Sequence, residues 1–391
     1  MEKIIKRINI ILIISIILIL PLGVIPRIQI SGFVKVSLSD ILAFLIAINF
    51  LISLLTSKVK VPEIFKNFIP FLILALFSLI LSLRLFPYNE VLTGGLYFVR
   101  LILYSSIIPA VYNLTAIQKK KIVFLLLMSG LITAIFGVIQ YFLYPDLRNL
   151  YYLGFDPHYK RIFGTYGDPN FIGLIFVLTL LLSFYKASHS REKEKIFYLL
   201  SGMFVFLALA FTYSRSSWLA LVISSLVYGI IRKRWPIFIA TVVMILIAAF
   251  MLPRPGGEGV RLGRTASTLA RVDNFRESLE IFTNNPVFGV GFDNYRVAKR
   301  KAGLINEEEF SFSHSASGAD NSLMFILVTT GICGLVAFGY FLYRVFRTGD
   351  IFIIVTVGGW LVHSLFVNSL FFIPILVWML VFLGLRVMDY N

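Results

Sequence analysis

The stretch IFYLLSGMFVFLALAFTYSRSSWLALVISSLVYGII (196–231) decides the fold. Two apolar runs, each close to the ~20 residues an α-helix needs to cross hydrocarbon, flank a turn too short to hold a solvated loop. One charge, Arg215, sits in that turn. Applied to the whole chain, the same pattern gives apolar segments near 8–25, 38–56, 68–83, 92–111, 122–143, 170–185, 196–213, 217–231, 236–252, 321–343, 351–366 and 369–386. The expected fold is therefore all-α, a polytopic membrane protein of about 12 transmembrane helices, with residues 1–391 forming a single transmembrane domain. Composition agrees: 58% of the 391 residues are hydrophobic and 14% charged, with a mean hydropathy of +0.88. Soluble domains do not reach this balance. The run after MEKIIKR is too long for a signal peptide and lacks an A-x-A site, so it reads as a retained anchor. A lone Cys333 in a predicted span excludes a disulfide framework and a thiolate metal site.

Orientation follows from the basic residues of the loops. One set of loops holds nineteen of them: Lys3, Lys6, Arg7, Lys58, Lys60, Lys66, Lys119, Lys120, Lys121, Lys186, Arg191, Lys193, Lys195, Arg232, Lys233, Arg234, Arg344, Arg347 and Arg386. The short loops of the other face hold seven: Arg27, Lys35, Arg84, Arg148, Lys160, Arg161 and Arg215. The first set is expected to be cytoplasmic, with both termini inside, in the cytoplasmic (inner) membrane. The long loop 253–320 is expected outside, partly helical; it carries nine basic and nine acidic residues and is neutral. The net charge of +16 therefore belongs mainly to loops facing anionic lipid, which argues against a nucleic-acid partner.

Two outward segments are long enough to build a site, 144–169 and 253–320. In the first, Asp168 or Asn170 of DPN is placed to cap the next span. In the second, TLARVDNFRESLEIF repeats Leu269, Val272, Phe275 and Leu279 at helical spacing, which predicts a helix. Arg100, Arg161, Arg215 and Arg296 stand near the outward ends of spans. A guanidinium there suits a phosphate or pyrophosphate, because its planar fork bonds oxygens bidentately and keeps its charge. For Arg100 the alternative is snorkelling to the interface. His363 reads as an interfacial or packed residue and His189 as solvated. His314 lies in SFSHSASGADNSLMF, among small polar residues just before a span, and is a candidate general base. Asp320 or Asn321 would cap that span. There is no HExxH, Walker loop, GxSxG or DxD-like pair, so no metal ion or cofactor is expected.

RIFGTYGDPNFIG, TYSRSSWLAL, NPVFGVGFDNYR and DNSLMFILVTTGICGL together resemble, in order and spacing, the O-antigen ligase family of cell-envelope glycosyltransferases. The resemblance covers about 160–340; the first five spans match only in hydropathy. It implies a GT-C-like membrane fold and an inverting, metal-independent transfer of a glycan from undecaprenyl pyrophosphate to an acceptor hydroxyl at the outer face of the membrane. The partners would be a lipid-linked glycan donor, a glycan or lipid-glycan acceptor, and the membrane. Arg215 and Arg161 would hold the pyrophosphate, with Arg296, Arg100, Asn170 and Asn321 as further substrate-binding candidates. Family members commonly have His directly before the Asn where this chain has Asp320, and Gly after SR where it has Ser216. The base is thus His314 or Asp320, and the neighbouring arginines should hold the Asp320 carboxylate low. A polymerase of the same family and a transporter of lipid-linked oligosaccharide are the rival readings.

Overall fold

The computed structural model describes residues 2–31, 34–56, 59–153, 155–255, 257–312 and 318–385. It is all-α apart from one small hairpin. Among the described residues, seven helices are long and apolar enough to cross a membrane: α1 (Glu2–Ile19, continued by one turn to Leu22), α2 (Leu38–Thr56), α3 (Glu63–Leu81), α4 with α5 (Tyr88–Ser105 and Ile107–Tyr112), α6 (Ala116–Leu143), α7 (Pro169–Ser188) and α14 (Ser322–Phe346). The remaining apolar segments also fold as helices. Of these, α10 (Trp235–Met251), α15 (Ile351–Ser364) and α16 (Ile373–Leu385) are shorter. The other two, α8 (Glu192–Ala210) and α9 (Arg215–Arg232), carry charges in the first turn or several serines.

Helix ends follow local chemistry. Thr115 and Gln118 form a reciprocal capping box at the start of α6. Asp168 caps α7, its Oδ1 accepting from the backbone N–H groups of Asn170 at 2.6 Å and Phe171 at 3.1 Å. The helices pack as neighbours α1 on α2, α3 on α14, α7 on α8 and α9 on α15. Each of α16's residues from Pro374 to Leu385 is buried, as expected for a helix that is apolar all round and encased by others.

The hairpin was not legible as such. Strands β1 (Arg27–Ser31) and β2 (Val34–Ser37) pair antiparallel between α1 and α2, with Ile28 opposite Val36 and Gln29 opposite Lys35.

The long loop contains α11 (Ala266–Asn284), α12 (Tyr295–Lys301) and α13 (Glu307–Phe312), so it is partly helical as expected. Helix α11 forms where the spacing predicts a helix. Leu269, Val272, Phe275 and Leu279 are exposed, while Ser278 and Ile281 are buried. The side that meets the protein carries polar contacts: Asn274 Oδ1 accepts from Asp320 N–H at 2.8 Å and Ser278 Oγ lies 2.7 Å from Tyr295 Oη.

Helix α14 is broken at Gly331, whose φ of 69° and ψ of −172° no helix contains. The segment after Asn285 fills the break. Val290 N–H donates to Val328 O, Gly291 N–H to Thr329 O, Ile332 N–H to Pro286 O and Cys333 N–H to Val287 O. Ser78 Oγ of α3 donates to Phe288 O and Thr329 O. A Cβ on Gly331 would run into the Val287 carbonyl, and one on Gly289 into the 328–329 backbone.

Candidate functional site

The site is organised around the turn Phe211–Ser214 between α8 and α9. Ser214 is the N-cap of α9 and its Oγ also donates to Asn170 Oδ1 at 2.9 Å. Ser217 Oγ donates to Asn170 O at 3.2 Å. Asn170 therefore ties the start of α7 to the start of α9, and its carbonyl also meets His363 Nε2 at 3.1 Å. His363 is fully buried and packed, its Nδ1 at 3.0 Å from Ser369 Oγ.

Both long loop segments are tied to this turn. From the first, Ile162 N–H donates to Phe211 O, and Arg161 Nε donates to Thr212 O at 2.8 Å. From the second, Tyr213 Oη donates to Pro253 O at 2.5 Å and Arg264 Nη2 donates to Tyr213 O at 3.3 Å. Tyr213 itself holds a φ of 50°, a left-handed conformation rare for an aromatic residue, kept by burial and by these bonds.

Arg215 opens α9 and spans the gap to the loop. Its Nη1 donates to Leu262 O at 3.2 Å and Arg264 O at 3.1 Å; its Nη2 donates to Ser267 Oγ at 2.9 Å and Thr268 Oγ1 at 3.3 Å. Those bonds engage the Nη groups and leave Nε–H. Arg161 is 4% exposed, and its position among other cations is electrostatically costly. Burial, together with the charges of Arg264, Arg271 and Arg215 and against that of Asp168, pulls its guanidinium down to about 9. Arg161 and Arg215 are thus brought together, with Arg264 and Arg271 added.

Asp320 and Asn321 divide their labour. Asn321 caps α14, its Oδ1 accepting from Leu323 N–H at 2.8 Å and Met324 N–H at 3.2 Å. The Asp320 carboxylate is thereby released from capping, while its backbone N–H donates to Asn274 Oδ1 at 2.8 Å. It lines a small groove with Arg271, Asn274, Phe275, Ser278 and Asn321. The sequence reading expected the arginines to hold this carboxylate low. Burial instead pushes it up, helped by Asp156 and Asp168, and outweighs the charges of Arg271 and Lys299. His314 lies outside the described residues.

Arg100 and Arg296 belong elsewhere, beside the hairpin. Arg100 pairs with Asp40 at 2.9 Å, donates to Lys35 O at 2.5 Å and lies over the Tyr97 ring at 5.0 Å. Arg296 donates to Phe310 O at 2.9 Å. Asp293, at a φ of 63°, is pushed up to about 7 by burial despite Arg100 and Arg296.

Asp156, His158 and Asp168 bring possible ligand atoms within 4.8 Å of one another. Arg161 opposes a cation there: its Nη1 lies 3.5 Å from His158 Nδ1, so the ring proton belongs on Nε2, which points to Asp168 Oδ2 at 3.7 Å. Burial works against the Asp168 carboxylate, yet His158 and the two capping N–H groups hold it down at about 2. This set supports Arg161.

Sequence reasoning missed Arg264, Arg271 and His158. A signal existed for Arg271: with Asn274 and Ser278 it forms a polar stripe at spacings of three and four on the side of α11 that faces the protein.

Residues 200–339 match the family model described as O-antigen ligase. The chain is also 24% identical over 184 residues to the O-antigen ligase of Salmonella typhimurium strain LT2, a match that covers 44% of this chain and 45% of that protein. The chain thus spans under half the length of this curated relative. The matched segment contains the α8–α9 turn, α11 and α14 through its break at Gly331. Over this segment the chain is therefore similar to the O-antigen ligase family, in the region where its ordered motifs lie.

Proposed function

We propose that the protein is a membrane glycosyltransferase that moves a glycan from a polyprenyl pyrophosphate to an acceptor hydroxyl, at the outer face of the cytoplasmic membrane. In this reading all twelve apolar segments cross the bilayer, both termini are cytoplasmic, and 253–320 caps the outward end. One observation carries it: Arg161, Arg215, Arg264 and Arg271 act on one another's charge beside a carboxylate, Asp320, that capping does not use. Such a cluster of cations lowers its energy by taking up an anion, and a leaving pyrophosphate gains negative charge as its bond breaks.

In the transfer, the acceptor oxygen attacks the anomeric carbon and its proton passes to the Asp320 carboxylate. The bond from anomeric carbon to phosphate oxygen breaks, its electron pair stays on the pyrophosphate, and the anomeric configuration inverts. Arg271, in the same groove as Asp320, is best placed to meet the pyrophosphate. Arg215 contributes charge and its Nε–H while positioning the loop. Arg161, buried behind the turn, is a positioning residue. Arg100, Arg296, Asn170 and Asn321 serve the framework. A ligase and a polymerase share these steps and differ only in the acceptor.

The test is transfer from a polyprenyl-pyrophosphate glycan by purified protein. Arg215→Ala should lower the rate by about 10²-fold or more while the protein still melts cooperatively, and Arg215→Lys should recover little because the fork is lost. Wild-type transfer by folded Arg215→Ala would remove the cluster from the reaction.

A further inference from the structure

Beside the cluster lies a cavity of about 730 Å³ lined by Arg254, Gly257, Val260, Arg261, Leu262 and Arg264, among others. The volume falls within the ~300–1,000 Å³ of small-molecule sites. It is distinct from the Asp320 groove, since the two have no described lining residue in common. Arg215 stands between them: its Nη1 bonds the carbonyls of Leu262 and Arg264, which line the cavity, and its Nη2 bonds Ser267 and Thr268, one turn before Arg271 of the groove.

The cavity wall is held in shape. Tyr213 Oη fixes its first end at Pro253 O, and Arg264 Nη1 donates to Gly259 O at 2.8 Å and Arg261 O at 3.1 Å. Arg254, Arg261 and Arg264 line it together with Leu262, and no carboxylate stands among the described lining residues. Arg254 and Arg261 are exposed at its edge.

We propose that this cavity is a subsite for acidic sugars, binding carboxylate-bearing rings of the glycan. Guanidinium forks match carboxylates bidentately, and the apolar face of a pyranose ring can lie on Leu262. This rests on the glycosyl-transfer reading and adds a substrate class to it. The anomeric end would lie toward Arg215 and the groove, and the acidic rings further along the loop.

Binding of trigalacturonate and of neutral maltotriose to the full-length protein in nanodiscs tests the proposal. The acidic trisaccharide should bind at least about tenfold more tightly, the difference should shrink with added salt, and Arg254→Ser/Arg261→Ser should abolish it. Both side chains are exposed, so the double variant should fold, as thermal melting will show. Equal affinity for the two sugars, or a preference unchanged in the double variant, would overturn the proposal. Displacement of trigalacturonate one for one by inorganic pyrophosphate would also overturn it, giving the cavity to the donor's pyrophosphate. Binding of polyprenyl pyrophosphate to wild-type protein is measured alongside. Its absence would sink the functional reading, whereas its presence with no preference for the acidic sugar would sink only the subsite.

Discussion

Two groups of arginines occupy this protein, and they are held in opposite ways. Beside the hairpin, Arg100 has a carboxylate at 2.9 Å and an aromatic ring beneath it. Around the Phe211–Ser214 turn, Arg161 and Arg215 bond backbone carbonyls and hydroxyls and stand among other arginines. A guanidinium matched by its own acid is already neutralised and serves the framework. One surrounded by carbonyl dipoles and like charges is oriented but not neutralised, and that condition suits a site for an anion.

The largest effect that can sharpen this contrast is at the base. Asp320→Asn should reduce transfer by about 10²- to 10⁴-fold with the fold intact. In the wild type, kcat/KM should fall as pH drops through the carboxyl pKa, because only the ionised form accepts a proton. Burial raises that pKa, so the fall should begin above the pH expected for an ordinary aspartate. A flat acid limb, or an active Asp320→Asn enzyme, would return the role to His314.

Next in size is Arg271. Arg271→Ala should slow transfer by about 10²-fold, whereas Arg100→Met should act on stability more than on rate. Equal rate losses in the two folded variants would erase the distinction between the groups.

On the hairpin side, Asp40→Asn removes the partner of a half-buried cation and should cost about 2 kcal/mol, seen as a lowered melting temperature. Transfer by the folded fraction should be near normal; a lost rate at unchanged stability would move this group into the reaction.

The smallest effect concerns the cap. Asn321→Ala should cost about 1 kcal/mol and Asn321→Asp much less, because the carboxylate can still accept the orphan N–H groups. Equal melting of wild type and Asn321→Ala would show that the cap contributes little.

Much of this was legible in sequence because hydrocarbon imposes a simple rule. Apolar length marked where helices form, and the DPN and DNS stretches marked their caps. The turn at Arg215 was found because a lone charge between apolar runs stands out. What sequence hid depends on pairing through space. Nothing near Arg100 in the chain announces Asp40, sixty residues away. The apolar stripe of α11 was visible, but the side that meets the protein is set by Asp320 and Tyr295, which contact Asn274 and Ser278 through space. Asp320 was misjudged for a related reason: counting nearby arginines gives the sign of their field but not the depth at which the carboxylate is held.

The break in α14 has a consequence for how the chain is assembled. Alone in lipid, the broken helix would leave the groups around Gly331 without partners, at several kcal/mol each. Those partners come from residues 286–291 and from Ser78. The span therefore cannot be an independent insertion unit. Its polar groups are satisfied only when the preceding segment has folded back against it, which couples the folding of that segment to that of the helix carrying Asp320 at its threshold.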